Sequence, residues 1–144
     1  MNKITHILGI VNSGKTTELV NQMVISDKNR LFITIEESSK SIHDKINITC
    51  KDIAHDKVFD ECGKFRIFEC KTLQDVINVC ELFITKYQKI DELYIDMAEL
   101  LDTQGSNRYA HCNIISNFLV KIAMKYNCHI ITSQQVHHTP TEGK

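Results

Sequence analysis

The 144-residue chain contains one proline. A proline-rich linker is therefore excluded, and there is no repeat and no low-complexity stretch. The length suits one domain that buries roughly two-thirds of its unfolded surface. No apolar run reaches the roughly 18 residues that a membrane-spanning helix needs. The first residues also lack a secretory leader pattern, so a cytoplasmic protein with no membrane partner is expected. Neither sign of charge dominates: 17 Lys and Arg oppose 18 Asp and Glu, a formal net charge of −1. That balance excludes coating nucleic acid or membrane by bulk charge and leaves room for a local basic patch. The six cysteines, Cys50, Cys62, Cys70, Cys80, Cys112 and Cys128, form no CxxC pair. Cys70, Cys80 and Cys128 fall within apolar patterns. They read as small buried hydrophobes in a reducing compartment rather than as a zinc or disulfide framework.

What is present is an alternation of short apolar, β-branched runs with helical stretches. "KITHILG" reads as a strand ending at Gly9, and "GKTTELVNQMVI" as the helix after it. "RLFITIEE" reads as a second strand and "KFRIFEC" as a third; the polar segment 38–63 between them suggests a short helix and loops. In "TLQDVINVCELFITKY", Leu73, Val76, Ile77, Cys80, Phe83, Ile84 and Tyr87 recur at helical spacing, with Thr72 and Asp75 as a capping box. "ELYID" is a fourth strand, "NIISNFLVKIAMKY" a second strong helix, and "CHIITS" a fifth strand. Strands alternating with helices imply a three-layer α/β/α domain with a mostly parallel five-stranded sheet. In such a sheet the site lies at the carboxyl ends of the strands.

The first strand end carries "GIVNSGKTT", in which Gly9, Gly14, Lys15 and Thr16 fit G-x-x-x-x-G-K-[ST]. Such a loop wraps phosphate with backbone N–H groups, so glycine is needed where a side chain would block close approach. The helix that follows points its N-terminus at the anion. Lys15 adds a charge near the β- and γ-phosphates and Thr16 offers a hydroxyl to Mg²⁺. Asn12, Ser13 and Thr17 complete the candidate nucleotide-binding set. The second strand ends in Glu36 and Glu37, where a carboxylate could orient or deprotonate a water. The fourth ends in Asp96, an acid placed to hold Mg²⁺ through water. The fifth ends in Ser133 and Gln134, neutral groups able to sense the γ-phosphate. Four of the five strands thus end in groups suited to one Mg–nucleotide.

In order and over nearly the whole chain, these segments resemble the RecA/DnaB-like P-loop ATPases, the family of recombinases and replicative helicases. "GIVNSGKTT" resembles their Walker A loop. "LFITIEES" resembles the strand bearing the catalytic glutamate, a register that selects Glu36. The block ending "ELYIDMAELL" is similar to their Walker B region. "CHIITSQQ" is similar to the strand ending Ser-Gln, which selects Gln134 as sensor. The resemblance implies a single RecA-like ATPase domain over 1–144, ATP as substrate with Mg²⁺, and Glu36, Lys15 and Gln134 as catalytic residues. It also implies single-stranded DNA as a partner through loops 97–113, with Arg108 and Tyr109, and 136–144, with His137, His138 and Lys144.

The family carries further strands and basic finger residues beyond the sensor. The resemblance therefore implies a domain cut short at its C-terminus, a minimal relative or a degenerate one. A homo-oligomeric neighbour or other partner would then supply the finger. Two other readings stay open: a nucleotide-binding adaptor with negligible turnover, and a compact thymidine-kinase-like nucleoside kinase. "SGKTTELV" is similar to the loop of those kinases, but Met97 follows Asp96 where they have glutamate.

Overall fold

The computed structural model describes residues 3–9, 15–52, 64–105 and 107–135, with the backbone alone at 6–9, 15, 49–52 and 134–135. The elements run β1 (Lys3–Gly9), α1 (Lys15–Ile25), β2 (Arg30–Thr34), α2 (Ser39–Asp52), β3 (Phe65–Glu69), α3 (Leu73–Tyr87), β4 (Glu92–Asp96), a 3₁₀ turn (Ala98–Leu100), α4 (Arg108–Tyr126) and β5 (His129–Gln135). The strands form one sheet in the order β1-β5-β4-β2-β3. Every neighbouring pair is parallel. The connection leaving β2 leads outward to β3, whereas the one leaving β4 leads the other way to β5. The chain therefore diverges between β4 and β2, which opens a crevice at their carboxyl ends.

Both faces of the sheet are covered, as continuous apolar strands require. All five residues of β2 are buried. Alternation along each strand then sorts the side chains. Leu31, Ile33, Leu93, Ile95 and Ile130 face one core, with Val76, Cys80 and Phe83 of α3 and Ile115, Leu119, Ile122 and Ala123 of α4. Phe32, Tyr94 and Ile131 face the other, with Leu19, Val20, Met23 and Val24 of α1 and Ile42 and Ile46 of α2. The same alternation carries Thr34, Asp96 and Ser133 onto the α1 side at the strand ends.

Local chemistry fixes the helix ends. Thr72 Oγ1 accepts from the Asp75 amide at 3.1 Å, and Asp75 Oδ2 accepts from the Thr72 amide at 3.0 Å, the reciprocal capping box expected from the sequence. Asn127 ends α4 in the left-handed conformation, φ 51°, which asparagine tolerates better than most residues. Beyond the end of α1, the buried Arg30 guanidinium donates to the carbonyls of Met23 at 2.9 Å and Lys28 at 2.8 Å. It thereby satisfies backbone acceptors that the helix leaves open.

Three boundaries differ from the sequence reading. β2 stops at Thr34, because Thr34 Oγ1 donates to the Glu37 carbonyl at 3.0 Å and turns the chain. α2 is a full 14-residue helix rather than a short one. Ile42 and Ile46 lie one turn apart and are buried, while Ile48 is exposed, a sparse pattern inside a polar segment. α4 begins at Arg108 rather than at 113, capped by Asn107, whose side chain accepts from the Ala110 amide at 2.8 Å. The candidate loop 97–113 is accordingly shorter, and its last residues are helical.

Candidate functional site

Asp96 is the centre of the strand-end cluster. It is 6 % exposed, and a carboxylate that deep must have its oxygens satisfied. Its Oδ2 accepts from Thr16 Oγ1 at 2.8 Å and its Oδ1 from Ser133 Oγ at 2.7 Å. Thr16 stands in the first turn of α1, 80 residues away in sequence. Its hydroxyl proton points at Asp96, so its lone pairs stay free to meet a cation. β5 secures the arrangement twice. Ser133 holds the carboxylate, while Thr132 Oγ1 donates to the Ile95 carbonyl at 2.8 Å and accepts from the Ala98 amide at 3.3 Å. The backbone that carries Asp96 is thus pinned on both sides.

The second carboxylate at this edge is Glu37. The turn after Thr34 leaves Glu36 exposed and brings Glu37 into partial cover. Glu37 Oε1 accepts from Ser41 Oγ at 2.6 Å and from Lys45 Nζ at 2.5 Å. Burial alone would raise its carboxyl. Lys45, Ser41 and the neighbouring Thr16 hydroxyl outweigh that and hold it below its ordinary value. Glu37 is therefore ionised at neutral pH and lies beside the same hydroxyl that Asp96 engages. Of the adjacent pair singled out by the sequence, Glu37 joins the cluster and Glu36 is exposed.

The other candidate residues divide between inside and outside the described chain. Gly9 ends β1 in register with Gln135, and Gln134 pairs with Leu8. Lys15 opens α1, and Thr17 is exposed one residue past Thr16. Asn12, Ser13, Gly14 and the segment 136–144, with His137, His138 and Lys144, lie outside the described residues. The side chains of Lys15 and Gln134 do as well. Ser133 is a β5 residue whose side chain touches the acid. Ser41 and Lys45 escaped the sequence reading, because no motif marks them. Their spacing of four within a polar helix was the available signal.

Thr16, Asp96 and Glu37 offer hard oxygen donors, and Mg²⁺ prefers such donors while keeping several waters. The donor set therefore fits Mg²⁺ held by one hydroxyl and nearby carboxylates, with water and phosphate completing the shell. Among the described residues no three His, Cys, Asp or Glu side chains gather into an all-protein metal cage. The buried thiols of Cys70, Cys80 and Cys128 belong to the core on the other face of the sheet. Burial, with Asp75 adding, pushes Cys70 up to about 12, and burial pushes Cys128 up to about 11, so both stay protonated and pack as apolar groups.

After Asp96 the chain is tightly held. His111 Nε2 bonds the Glu99 carbonyl at 2.6 Å, and His111 Nδ1 bonds Thr103 Oγ1 at 2.7 Å. Thr103 Oγ1 also accepts from the Gly105 amide at 3.1 Å. Arg108 and Tyr109, at the start of α4, are exposed, Tyr109 by 77 %. No helix of the described residues is long and apolar enough to cross a membrane.

Compared with known proteins, the chain matches no protein-family model, and no curated protein matches it.

Proposed function

We propose that the chain binds Mg–ATP and hydrolyses it, as a RecA/DnaB-like ATPase domain coupled to the handling of DNA. One observation carries the reading. A buried acid at the end of β4 is bonded to the threonine of a G-x-x-x-x-G-K-T sequence, with a second, ionised carboxylate beside that threonine. A structural role for Asp96 would need only hydrogen-bond partners. It would not need the phosphate-loop threonine 80 residues away.

The roles follow from the chemistry. The loop 9–14 and the start of α1 would hold the phosphates through backbone N–H groups, and Lys15 would add charge at the β- and γ-phosphates. Thr16 would ligate Mg²⁺ directly and Asp96 through water, and the bound ion would offset charge on the transferring phosphoryl oxygens. Glu37 takes the role that the sequence register assigned to Glu36. It orients a water, whose oxygen forms the new bond to the γ-phosphorus while the bond to the β–γ bridging oxygen breaks. The water's proton passes to the carboxylate. Positioned general bases contribute on the order of 10²- to 10⁴-fold. Exposed Arg108 and Tyr109 offer a cation and a stacking ring to single-stranded DNA.

Phosphate release with and without single-stranded DNA, alongside equilibrium binding of a fluorescent ATP analogue, tests the reading. Lys15→Ala should weaken Mg–ATP binding by about 10-fold or more, the loss of one charge-assisted contact. Stimulation of phosphate release by DNA is expected. Tight ATP binding with no turnover under any condition would favour the adaptor. Transfer of phosphate to thymidine would favour the kinase.

A further inference from the structure

We propose that Lys45 of α2 is the cation that reads the terminal phosphate of the bound nucleotide, supplied within the same chain. The inference rests on the ATPase reading above. Ser41 and Lys45 stand one helical turn apart on α2, and both reach back to Glu37. Ile42 and Ile46, on the adjoining face, anchor the same helix in the core against α1 and Phe32. The stem of Lys45 is therefore held by a packed element, while the ammonium stays on a flexible four-carbon arm.

Another lysine ion pair on α2 is different in kind. Lys40 and Asp44 have side chains 86 % and 60 % exposed, whereas those of Lys45 and Glu37 are 34 % and 24 % exposed. A pair of the first sort contributes little. A partly desolvated ammonium at the sheet's carboxyl edge acts through a lower dielectric, and its field reaches an anion bound beside it.

Charge makes the case specific. Asp96 and Glu37 place two carboxylates around Thr16, and together they repel a polyanion. Among the described side chains in contact with this cluster, Lys45 is the cation. On the ATPase reading, Thr16 would hold the Mg²⁺ that accompanies the nucleotide. On that reading, a cation on the β2 side of Thr16 would meet the end of the phosphate chain. With three donors, the Lys45 ammonium can keep one on Glu37 and give another to a terminal phosphate oxygen.

The test is a comparison of equilibrium affinities for a non-hydrolysable ATP analogue and for ADP, both with Mg²⁺. The wild-type chain, Lys45→Met, Lys45→Arg, Glu37→Gln and the double variant Lys45→Met with Glu37→Gln are compared. Methionine keeps the apolar stem, so the helix retains its packing. Lys45→Met should lose about 10- to 100-fold in affinity for the analogue, the scale of a hydrogen bond to a charged group, and change ADP affinity little. Lys45→Arg should restore most of the loss. The loss should persist in the Glu37→Gln background.

Equal losses for both nucleotides, no loss for either, or a loss that vanishes in the Glu37→Gln background would each overturn the proposal. The last outcome would show that Lys45 acts only by neutralising Glu37. If the wild-type chain binds neither nucleotide, the ATPase reading fails and this inference with it.

Discussion

At the residue scale, one hydroxyl with two carboxylates beside it forms the centre of the strand-end cluster. Thr16 has a single proton to give, and Asp96 takes it at 2.8 Å. Asp96→Asn would keep the shape and the Ser133 contact but remove the charge that offsets a divalent ion. The variant should bind ATP with a weakened dependence on Mg²⁺, by about 10-fold or more. Titrating Mg²⁺ at fixed ATP analogue, with affinity as the readout, checks this. An unchanged Mg²⁺ dependence would remove Asp96 from the metal site. Asp96 and Thr16 were legible in the sequence, because each belongs to a pattern with a fixed place at a strand end or helix start. The choice between Glu36 and Glu37 was not. Which of the two meets the cluster depends on the turn that Thr34 makes through the Glu37 carbonyl, and a register carried over from an extended strand does not contain that turn.

At the element scale, the alternating helices and strands were readable because their periods are strong. α3 repeats its apolar residues at three and four, and its box of Thr72 and Asp75 is present as expected. α2 was not readable as a full helix. Ile42 and Ile46 are its buried apolar residues among many polar ones, and packing against α1 decides its length. The capping box gives an acid-linked test. The backbone amides of Lys71 and Thr72 hold the Asp75 carboxyl below its ordinary value. A depressed carboxyl contributes stability that is present above the unfolded pKa and lost as pH falls through the folded one. Asp75→Asn should therefore lower the urea midpoint at neutral pH, with the gap to wild type closing in acid. A gap that stays constant with pH would mean that the charge on Asp75 contributes nothing.

At the scale of the whole molecule, two cores clamp a parallel sheet whose carboxyl edge gathers groups from α1, the β2 turn, α2, β4 and β5. Sequence order scatters these residues from 16 to 133, and the strand order β1-β5-β4-β2-β3 collects them. β5 brings Ser133 onto Asp96 because it lies between β1 and β4. No local pattern in the chain states that neighbourhood. On the proposed reading, a chain of nearly zero net charge would bind a polyanion through a local field rather than through its net charge.

The most direct test of the central claim pairs turnover with binding in the intact chain. Phosphate release at saturating Mg–ATP is measured for wild type, Glu37→Gln and Glu36→Gln, with ATP affinity measured beside it. The account predicts that Glu37→Gln still binds Mg–ATP but releases phosphate about 10²-fold or more slowly, while Glu36→Gln turns over normally. Normal turnover by Glu37→Gln, or loss confined to Glu36→Gln, would contradict it.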